Sequence, residues 1–508
     1  MGSSRSRYVT AIVTGLVVVA CASAVSPAPT KTTPPSGPPA SDSASLTPEP
    51  TAGPTGSPSL PPPPASPSSP PAAATASLPV RGSARAVGER ILMAPGPAGT
   101  LFVSILGSNG TVLALLDRTG APRQGWPILV QDANACDILL PVEDGSVRII
   151  CNETDLPQPD NDPADVRAFA FDSVAHVMPG WPVQLQPEWP PRCTAVVIGD
   201  ELTILEGEIA PATQPWVTTI AASGATRSGT PVPGVEHWCG STWAVGPDGV
   251  AYGSMHHVGD SPSAPKSSEI LAVSFAGARA GFPVEIDGIA SRPAFGSAGR
   301  IFVTVSSFPR PTSHVVAYGR DGGAAVASST ELPIDTGLVA YVDGAYECGA
   351  PLPRPPLIAM DGTIFVFSEI DDVVFALDRS LDIVRGWPYT PATPLVRRDR
   401  GPSGDGIDCT SLAIPAAGPD ATLYLPLQAR DAKFGGSIVA VGPDGRVRPG
   451  WPVVLKRPGG EFWSVVVGSD GTTYALAIEP EAGDASSASI LAIAPDSTVL
   501  WTTTIIEP

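Results

Sequence analysis

The chain has 508 residues, and its 49 Asp and Glu against 30 Lys and Arg give a formal net charge of -19 at pH 7. This charge repels phosphate backbones and no basic patch is visible, so nucleic-acid binding is not expected. With five His and no Gly-x-Ser-x-Gly, His-Glu-x-x-His or Gly-Lys-Ser/Thr motif, no hydrolase or nucleotide-binding machinery is visible either.

The N-terminal segment predicts export. Arg5 and Arg7 precede an apolar or small-residue run over 9–20, which is too short to span a bilayer and fits a signal peptide. The run ends in Val18-Val19-Ala20-Cys21, which resembles the bacterial lipoprotein processing box. Residues 1–21 are therefore predicted to be a lipoprotein-type signal peptide with lipidation at Cys21, which would anchor the protein on the outer face of the bacterial cell membrane. The alternative is a secreted protein, since Ala22-Ser23-Ala24 also fits a cleavage site.

Residues 22–83 are rich in Pro, Ser, Thr and Ala and contain almost no aromatic residues. Such a segment cannot bury enough apolar surface to offset the entropy lost on folding. It is predicted to be a disordered tether. Because Pro-rich chains extend by about 3.1 Å per residue, its reach exceeds roughly 100 Å.

Residues 84–508 are too long for one ordinary core and contain two repeated phrases. The first is Gly-Trp-Pro or a near copy, at 125–127, 180–182, 281–283, 386–388 and 450–452, with decayed copies at 229–231 and 331–333. The second is a Gly or Asp turn between apolar runs, at 98–100, 144–146, 199–201, 248–250, 298–300, 361–363, 420–422 and 470–472. Asp-Gly between apolar runs is a strong hairpin signal.

About eight copies with four short strands each predict an all-β fold, a β-propeller of about eight four-stranded blades over 84–508. A ring of seven blades with one irregular insertion is the alternative. The recurring Trp residues are expected to pack between neighbouring blades, with the following Pro in an outer edge strand. The pattern resembles the quinoprotein-like (PQQ-like) propeller repeats of bacterial alcohol dehydrogenases and outer-membrane assembly scaffold lipoproteins. That resemblance implies architecture only.

Six cysteines follow Cys21, and an even number in an exported chain favours disulfides. Their positions in the repeats predict Cys136–Cys151 within one blade, and Cys193–Cys239 and Cys348–Cys409 between adjacent blades. A thiolate metal site is the alternative, but it lacks close Cys-x-x-Cys spacing.

These bonds would brace the loops that enter the first strands into a rim around the central channel. Aromatic and charged residues at this rim are candidates for binding a peptide, a sugar or a cation. They are Trp189, Arg192, Glu236, His237, Trp238, Tyr346, Glu347, Asp405, Asp408, Glu461 and Trp463. The alternative is that they are ordinary solvated loop residues. His256-His257 is expected to be a surface loop pair.

The predicted function is a binding or scaffolding module for protein or glycan partners, with no catalytic residue and no resident cofactor. A quinone-dependent dehydrogenase of the resembled family would carry adjacent cysteines, and this chain has none. Two alternatives stay open: a carbohydrate-active enzyme using rim carboxylates, or a cation-dependent sensor. Calcium binding at Asp160, Asp162 and Asp165 is conceivable, but a solvated acidic loop is favoured because the calcium-loop Gly and Glu are missing.

Overall fold

The computed structural model describes most of the chain after residue 73. The described ranges are 74–81, 91–107, 110–131, 135–152, 166–185, 194–206, 214–232, 243–258, 266–307, 312–333, 341–342, 345–346, 353–368, 372–395, 397–402, 408–412, 415–430, 433–480 and 486–507. The predicted signal peptide, Cys21 and residues 22–73 lie outside these ranges. Within them, no helix combines the length and the apolar character that crossing a membrane requires.

Eight antiparallel sheets follow one another along the described chain as the blades of a β-propeller. The predictions of an all-β fold and of eight blades are confirmed. Blade 1 comprises β2 (Ile91–Pro95), β3 (Leu101–Gly107), β4 (Gly110–Leu116) and β5 (Ile128–Val130). Blade 2 comprises β6 (Ala135–Pro141), β7 (Val147–Asn152), β8 (Val166–Phe171) and β9 (Val183–Gln184). Blade 3 comprises β10 (Thr194–Ile198), β11 (Glu201–Glu206), β12 (Trp216–Ile220) and β13 (Thr226–Ser228).

Blades 4 and 5 each divide one strand position between two short strands. Blade 4 comprises β14 (Trp243–Val245), β15 (Ala251–Val258), β16 (Lys266–Ser274), β17 (Gly277–Ala278) and β18 (Val284–Asp287), the last two both pairing with β16. Blade 5 comprises β19 (Ile289–Ala290), β20 (Ala294–Phe295), β21 (Ile301–Ser307), β22 (Thr312–Tyr318) and β23 (Ala327–Ser328). Two 3-10 turns, Pro97–Gly99 and Ser297–Gly299, join the first two strand positions of blades 1 and 5.

Two small hairpins lie between blades 5 and 6 and between blades 6 and 7. These are β24 (Tyr341–Val342) with β25 (Ala345–Tyr346), and β29 (Arg397–Pro402) with β30 (Asp408–Leu412). Blade 6 comprises β26 (Leu357–Ile358), β27 (Ile364–Phe367) and β28 (Val374–Leu377), with a Val374–Tyr389 bridge in its outer position. Blade 7 comprises β31 (Ala416–Ala417), β32 (Leu423–Leu427), β33 (Ser437–Val441) and β34 (Val453–Val454). Blade 8 comprises β35 (Glu461–Val467), β36 (Thr473–Pro480), β37 (Ser486–Ile493) and β38 (Val499–Glu507), plus β1 (Ala74–Arg81).

The core is divided among the interfaces between blades. Successive side chains of a strand point to opposite faces, so each strand supplies two interfaces. In β3, Leu101, Val103 and Ile105 pack against blade 8, whereas Phe102 packs against blade 2. The buried hydrophobic residues of the described ranges form eight clusters, and each cluster joins two consecutive blades. Radial packing therefore gives this long chain eight small cores.

The ring is closed by blade 8 packing on blade 1. The Tyr474 hydroxyl donates to the Gly99 carbonyl at 3.1 Å, and the Thr503 hydroxyl donates to the Gly120 carbonyl at 2.8 Å. Leu78 of β1, which is 1% exposed, belongs to the same interface cluster.

Strand β1 pairs in parallel with β38, from Ala74 opposite Trp501 to Arg81 opposite Glu507. The sequence analysis assigned these eight residues to the tether. Their composition resembles that segment, but apolar and polar residues alternate from Ala74 to Ser77, and the strand supplies the buried Leu78. The pairing register shifts around Pro79, which has no N–H to donate to a ladder. The fold therefore takes in the last part of the segment.

Candidate functional site

The blades have two different ends. The turns between the first and second strands, and between the third and fourth, lie at one end, which we call the turn end. The connections between the second and third strands, and between blades, lie at the other, which we call the loop end. The longest connection between second and third strands follows β7 and covers residues 153–165. Of the predicted rim residues, Glu461 and Trp463 are described at the loop end, in the first part of β35.

Asp side chains define the turns of the turn end. The backbone N–H of Ser146 donates to Asp144 Oδ1 at 2.8 Å, and that of Thr363 donates to Asp361 Oδ1 at 2.8 Å. Thr472 makes the same bond to Asp470 Oδ1 at 3.0 Å. These bonds satisfy the turn backbone locally. The prediction of a hairpin at each Asp or Gly turn is confirmed.

The recurring Trp residues link blades 1, 2, 6 and 7 to the blade that follows, at the turn end. Their indole Nε1 atoms donate to a carbonyl in the following blade, from Trp126 to Ser173 at 3.3 Å, Trp181 to Ala222 at 2.9 Å, Trp387 to Pro443 at 3.0 Å and Trp451 to Pro495 at 3.2 Å. All four rings are buried, and each Trp-Pro peptide is cis. The prediction that these residues pack between blades is confirmed, so their rings are not ligand platforms.

Each motif ring has a partner in the second strand of its own blade. These partners are aromatic in five blades, with ring centroids 5.3–5.8 Å apart in the pairs Phe102–Trp126, Tyr252–Phe282, Phe365–Trp387, Tyr424–Trp451 and Tyr474–Trp501. In blade 2 the partner is Arg148, whose guanidinium carbon lies 5.6 Å from the Trp181 ring centroid. Arg148 is 1% exposed, and burial lowers its pKa, against the attraction of Asp144 and Asp200. Sequence reasoning missed Arg148, although its place three residues after the turn Gly marks it.

A disulfide staples the loop end of blade 2. Cys136 of β6 and Cys151 of β7 are directly opposed in the hairpin and are bonded. The predicted pairing of these two residues is confirmed. Cys193, Cys239 and Cys348 lie outside the described residues, and Cys409 is described only as part of the β30 backbone. Their pairings stay predictions.

Most predicted rim residues also lie outside the described ranges: Trp189, Arg192, Glu236, His237, Trp238, Glu347 and Asp405. Tyr346 belongs to β25 and Asp408 begins β30. Glu461 begins β35 at the loop end of blade 8 and is partly buried. Trp463, two residues further on, is 8% exposed and packs in the cluster between blades 8 and 1. A binding role for this set stays a prediction.

His256 and His257 lie on strand β15 and not in a loop, which corrects the expectation. His256 Nε2 lies 2.8 Å from the Ala290 carbonyl of blade 5, and burial lowers the pKa of its ring. His257 Nε2 lies 3.4 Å from Glu269 Oε1 on the adjacent strand. The two side chains therefore have separate partners, one between blades and one on the blade surface.

Two further charged groups lie in blades 3 and 5. Glu206 ends β11 at the loop end of blade 3, where its Oε2 accepts from Trp216 Nε1 at 3.0 Å and from the Thr218 hydroxyl. This fixes a carboxylate beside a partly exposed indole. Arg292 lies between β19 and β20, and burial lowers its pKa to about 10, which leaves it charged at neutral pH. No signal in the repeats distinguished these residues.

Within the described ranges, no group of three or more His, Cys, Asp or Glu side chains could hold a metal ion. Asp160, Asp162 and Asp165, the conceivable calcium ligands, lie outside those ranges.

No protein-family model matches the sequence, and no curated protein matches it. Solved structures with a similar fold include the propeller domain of the Trilobed protease from Pyrococcus furiosus, with 9% identity, 81% of this chain and 97% of that chain covered, and a TM-score of 0.40. A streptogramin B lyase matches with 12% identity, 72% and 95% coverage and a TM-score of 0.36. The virginiamycin B lyase of Staphylococcus aureus matches with 10% identity, 61% and 93% coverage and a TM-score of 0.32. At these identities and TM-scores the likeness carries no argument about this chain.

Proposed function

We propose that the chain is an exported, lipid-anchored β-propeller that binds or scaffolds protein or glycan partners through its loop end. The observation that carries this proposal is the contrast between the two ends of the blades. The turn end repeats the same Asp turns and Trp contacts, whereas the connections at the loop end differ in length from blade to blade. Variable loops on a rigid scaffold are where binding residues concentrate.

Export is supported by two features. The Cys136–Cys151 disulfide belongs to the class of bonds that persists in oxidising compartments. The second feature is the lipobox-like Val18-Val19-Ala20-Cys21, which is typical of a lipoprotein signal peptide with lipidation at the Cys. Metabolic labelling with a clickable fatty acid tests the anchor, because Cys21→Ser should abolish the label and release the protein from the membrane fraction. Labelling that persists in this variant would contradict lipidation at Cys21.

Binding is tested by crosslinking in the protein's own cells, followed by mass spectrometry of the captured proteins. We expect a reproducible partner with the wild-type chain that is lost when residues 153–165 are replaced by a short Asn-Gly linker. Gln124→Glu, which changes an exposed residue at the turn end, is the matched control and should keep the partner. If the two variants behave alike, residues 153–165 are not part of the binding surface. A glycan array tests the second class of partner with the same variants.

A further inference from the structure

The joint between blades 4 and 5 is held at its loop end by polar side chains. Two serines of blade 4 bind the backbone of the segment that enters blade 5. The Ser254 hydroxyl donates to the Ser291 carbonyl at 2.6 Å. The Ser268 hydroxyl donates to the Gly288 carbonyl at 2.8 Å and accepts from the Ala290 N–H at 2.9 Å. Both serines are buried, so these bonds fix the segment 288–291 against blade 4.

A histidine from each blade belongs to the same joint. His256 of β15 lies with its Nε2 2.8 Å from the Ala290 carbonyl, so this ring binds the same segment as the two serines. His314 of β22 is directly opposite Val305, a member of the cluster shared by blades 4 and 5. Because directly opposed residues lie on the same face of a sheet, His314 faces blade 4. The joint therefore contains one ring from each side.

The surroundings of His256 disfavour a proton on its ring. Burial lowers the pKa of His256, and the neighbouring His257 acts in the same direction. The bond to the Ala290 carbonyl acts the other way without outweighing burial. Arg292, two residues beyond Ala290, adds a positive charge to this segment. The carboxylate of Glu269 lies on the other face of the sheet, where it contacts His257.

The ring of His314 is subject to opposing effects. Burial lowers its pKa, and the carboxylates of Glu331 and Asp287 act to raise it without outweighing burial. Both rings of the joint therefore have a folded pKa below the ordinary value of 6.5. The folded chain then binds fewer protons than the unfolded chain, so the stability that the neutral rings contribute is present above about pH 6.5 and is lost as the pH falls toward the folded values.

The turn end of this joint has no indole contact. The motif ring of blade 4 is Phe282, which has no side-chain N–H to donate to blade 5. The Gly323 N–H donates to the Gly281 carbonyl at 3.1 Å, and Arg279 Nη2 lies 4.0 Å from Asp321 Oδ1. The Asp321 side chain is fully exposed, and ion pairs of exposed groups contribute little. The stronger polar contacts across this joint therefore lie at its loop end.

We propose that the joint between blades 4 and 5 is an acid-sensitive seam, at which protonation of His256 and His314 loosens the segment 288–291 from blade 4. A charged ring gains hydration when the loop end of the joint opens, and this gain drives the opening. The other joints do not contain these rings, so acid changes the loop end locally before it unfolds the propeller. This inference does not depend on the anchoring or the partners proposed above.

Local opening is tested by amide hydrogen exchange in the full chain at pH 7.5 and pH 5.5, read by mass spectrometry and corrected for the intrinsic effect of pH on exchange. We expect the peptide covering 286–292 to exchange several-fold faster at pH 5.5. The peptide covering 461–467, the first strand of blade 8, is the internal control and should not change. Equal acceleration in both peptides, or none in the first, would overturn the seam.

The role of the two rings is tested with the double variant His256→Gln with His314→Gln. Gln keeps an N–H that can donate to the Ala290 carbonyl, but it does not titrate. In this variant the peptide covering 286–292 should exchange at the same corrected rate at both pH values. His176→Gln, which changes an exposed His of blade 2, is the matched control and should respond to acid as the wild type does. An acid response that persists in the double variant would overturn the proposal.

A measurement on the wild-type chain keeps the proposal testable if the double variant does not fold. The chain has five His, so their imidazole resonances can be followed by NMR through an acid titration. We expect at least two of these resonances to titrate with midpoints below about pH 6.5, the ordinary value for His. Fewer than two such midpoints would overturn the proposal.

Discussion

The turn end and the loop end of the propeller are built from the same strands but follow different rules. At the turn end, Trp126, Trp181, Trp387 and Trp451 each donate to the following blade, so one contact is used repeatedly to hold the ring. At the loop end, connections differ in length from blade to blade, and blade 2 has its own disulfide. Repeated packing at the turn end therefore leaves the loop end free to vary.

The largest expected effect comes from a Trp contact. Trp451 is 7% exposed and its indole Nε1 donates to the Pro495 carbonyl of blade 8 at 3.2 Å, so Trp451→Ala removes an inter-blade anchor. We expect a loss of about 3–5 kcal/mol in the free energy of unfolding, measured by urea denaturation. Thr230 occupies the equivalent place in blade 3 and is exposed. Thr230→Ala should change stability by less than about 0.5 kcal/mol. Similar losses of stability in both variants would show that the Trp contact contributes no more to stability than the equivalent position in blade 3.

The disulfide tests the loop end. Cys136 and Cys151 are separated by 15 residues, and closing a loop of that size in the unfolded chain is worth about 3 kcal/mol in the chain-entropy model. The double variant Cys136→Ala with Cys151→Ala should lose about that much in urea denaturation. When Trp451→Ala is added to this double variant, the losses in the free energy of unfolding should be additive, because the two sites share no partner. Strong non-additivity would contradict the separation of the two ends.

A pair of glycines isolates ring closure. Gly120 has a φ of 79°, and a Cβ there would lie 2.6 Å from two ring carbons of Trp501, whereas Gly323 has a φ of 80° and open space. Both Ala variants carry the strain of a positive φ. Only Gly120→Ala also crowds the joint between blades 8 and 1, at about 1–3 kcal/mol. The difference between their denaturation midpoints measures how far crowding at the contact between blades 8 and 1 destabilises the fold. Equal losses of stability in the two variants would mean that the contact between Gly120 and Trp501 adjusts to the added methyl group at no cost.

Much of the fold could be predicted from the sequence because the turn pattern of a blade recurs eight times. A single Asp-Gly pair is an ambiguous signal, but turns such as Asp144-Gly145 and Asp361-Gly362 recur with a Trp motif after them. The Cys136–Cys151 bond followed from the same register, since both residues sit at the open end of one hairpin. β1 was not predicted, because Ala74–Arg81 gains its structure from β38, more than four hundred residues away.

The candidate site was less predictable because it departs from the repeats. The Glu206 carboxylate accepts from Trp216 and Thr218, and these three residues come together only through the pairing of β11 and β12. Trp463 was a rim candidate by position, but its ring packs between blades 8 and 1. Periodicity identifies what blades share. It carries no information on residues that occur in one blade only.

Arg148 tests whether blade 2 departs from the others for a structural reason. Its guanidinium replaces the aromatic partner of the motif ring, and its Nε has no hydrogen-bond partner among the described residues. Replacing a buried charged group with a well-packed apolar one is often stabilising. We therefore expect Arg148→Phe to raise the free energy of unfolding by about 1 kcal/mol, and Phe102→Arg in blade 1 to lower it. A loss in Arg148→Phe would show that the charge itself supports blade 2.

The smallest effect concerns pH and the ion pair of blade 7. Burial acts to raise the pKa of Asp420, but hydrogen bonds from Thr422 and Arg448 outweigh it and lower the pKa below its ordinary value. Because the folded pKa is the lower one, this group's contribution is present above the unfolded pKa of about 3.9 and is lost as the pH falls through the folded value. Asp420→Asn should therefore flatten the loss of stability below about pH 4. The pair is half exposed, so a double-mutant cycle with Arg448→Gln should give a coupling below about 1 kcal/mol at pH 7. A larger coupling would mean that ion pairs, and not only packing, hold the turn end together.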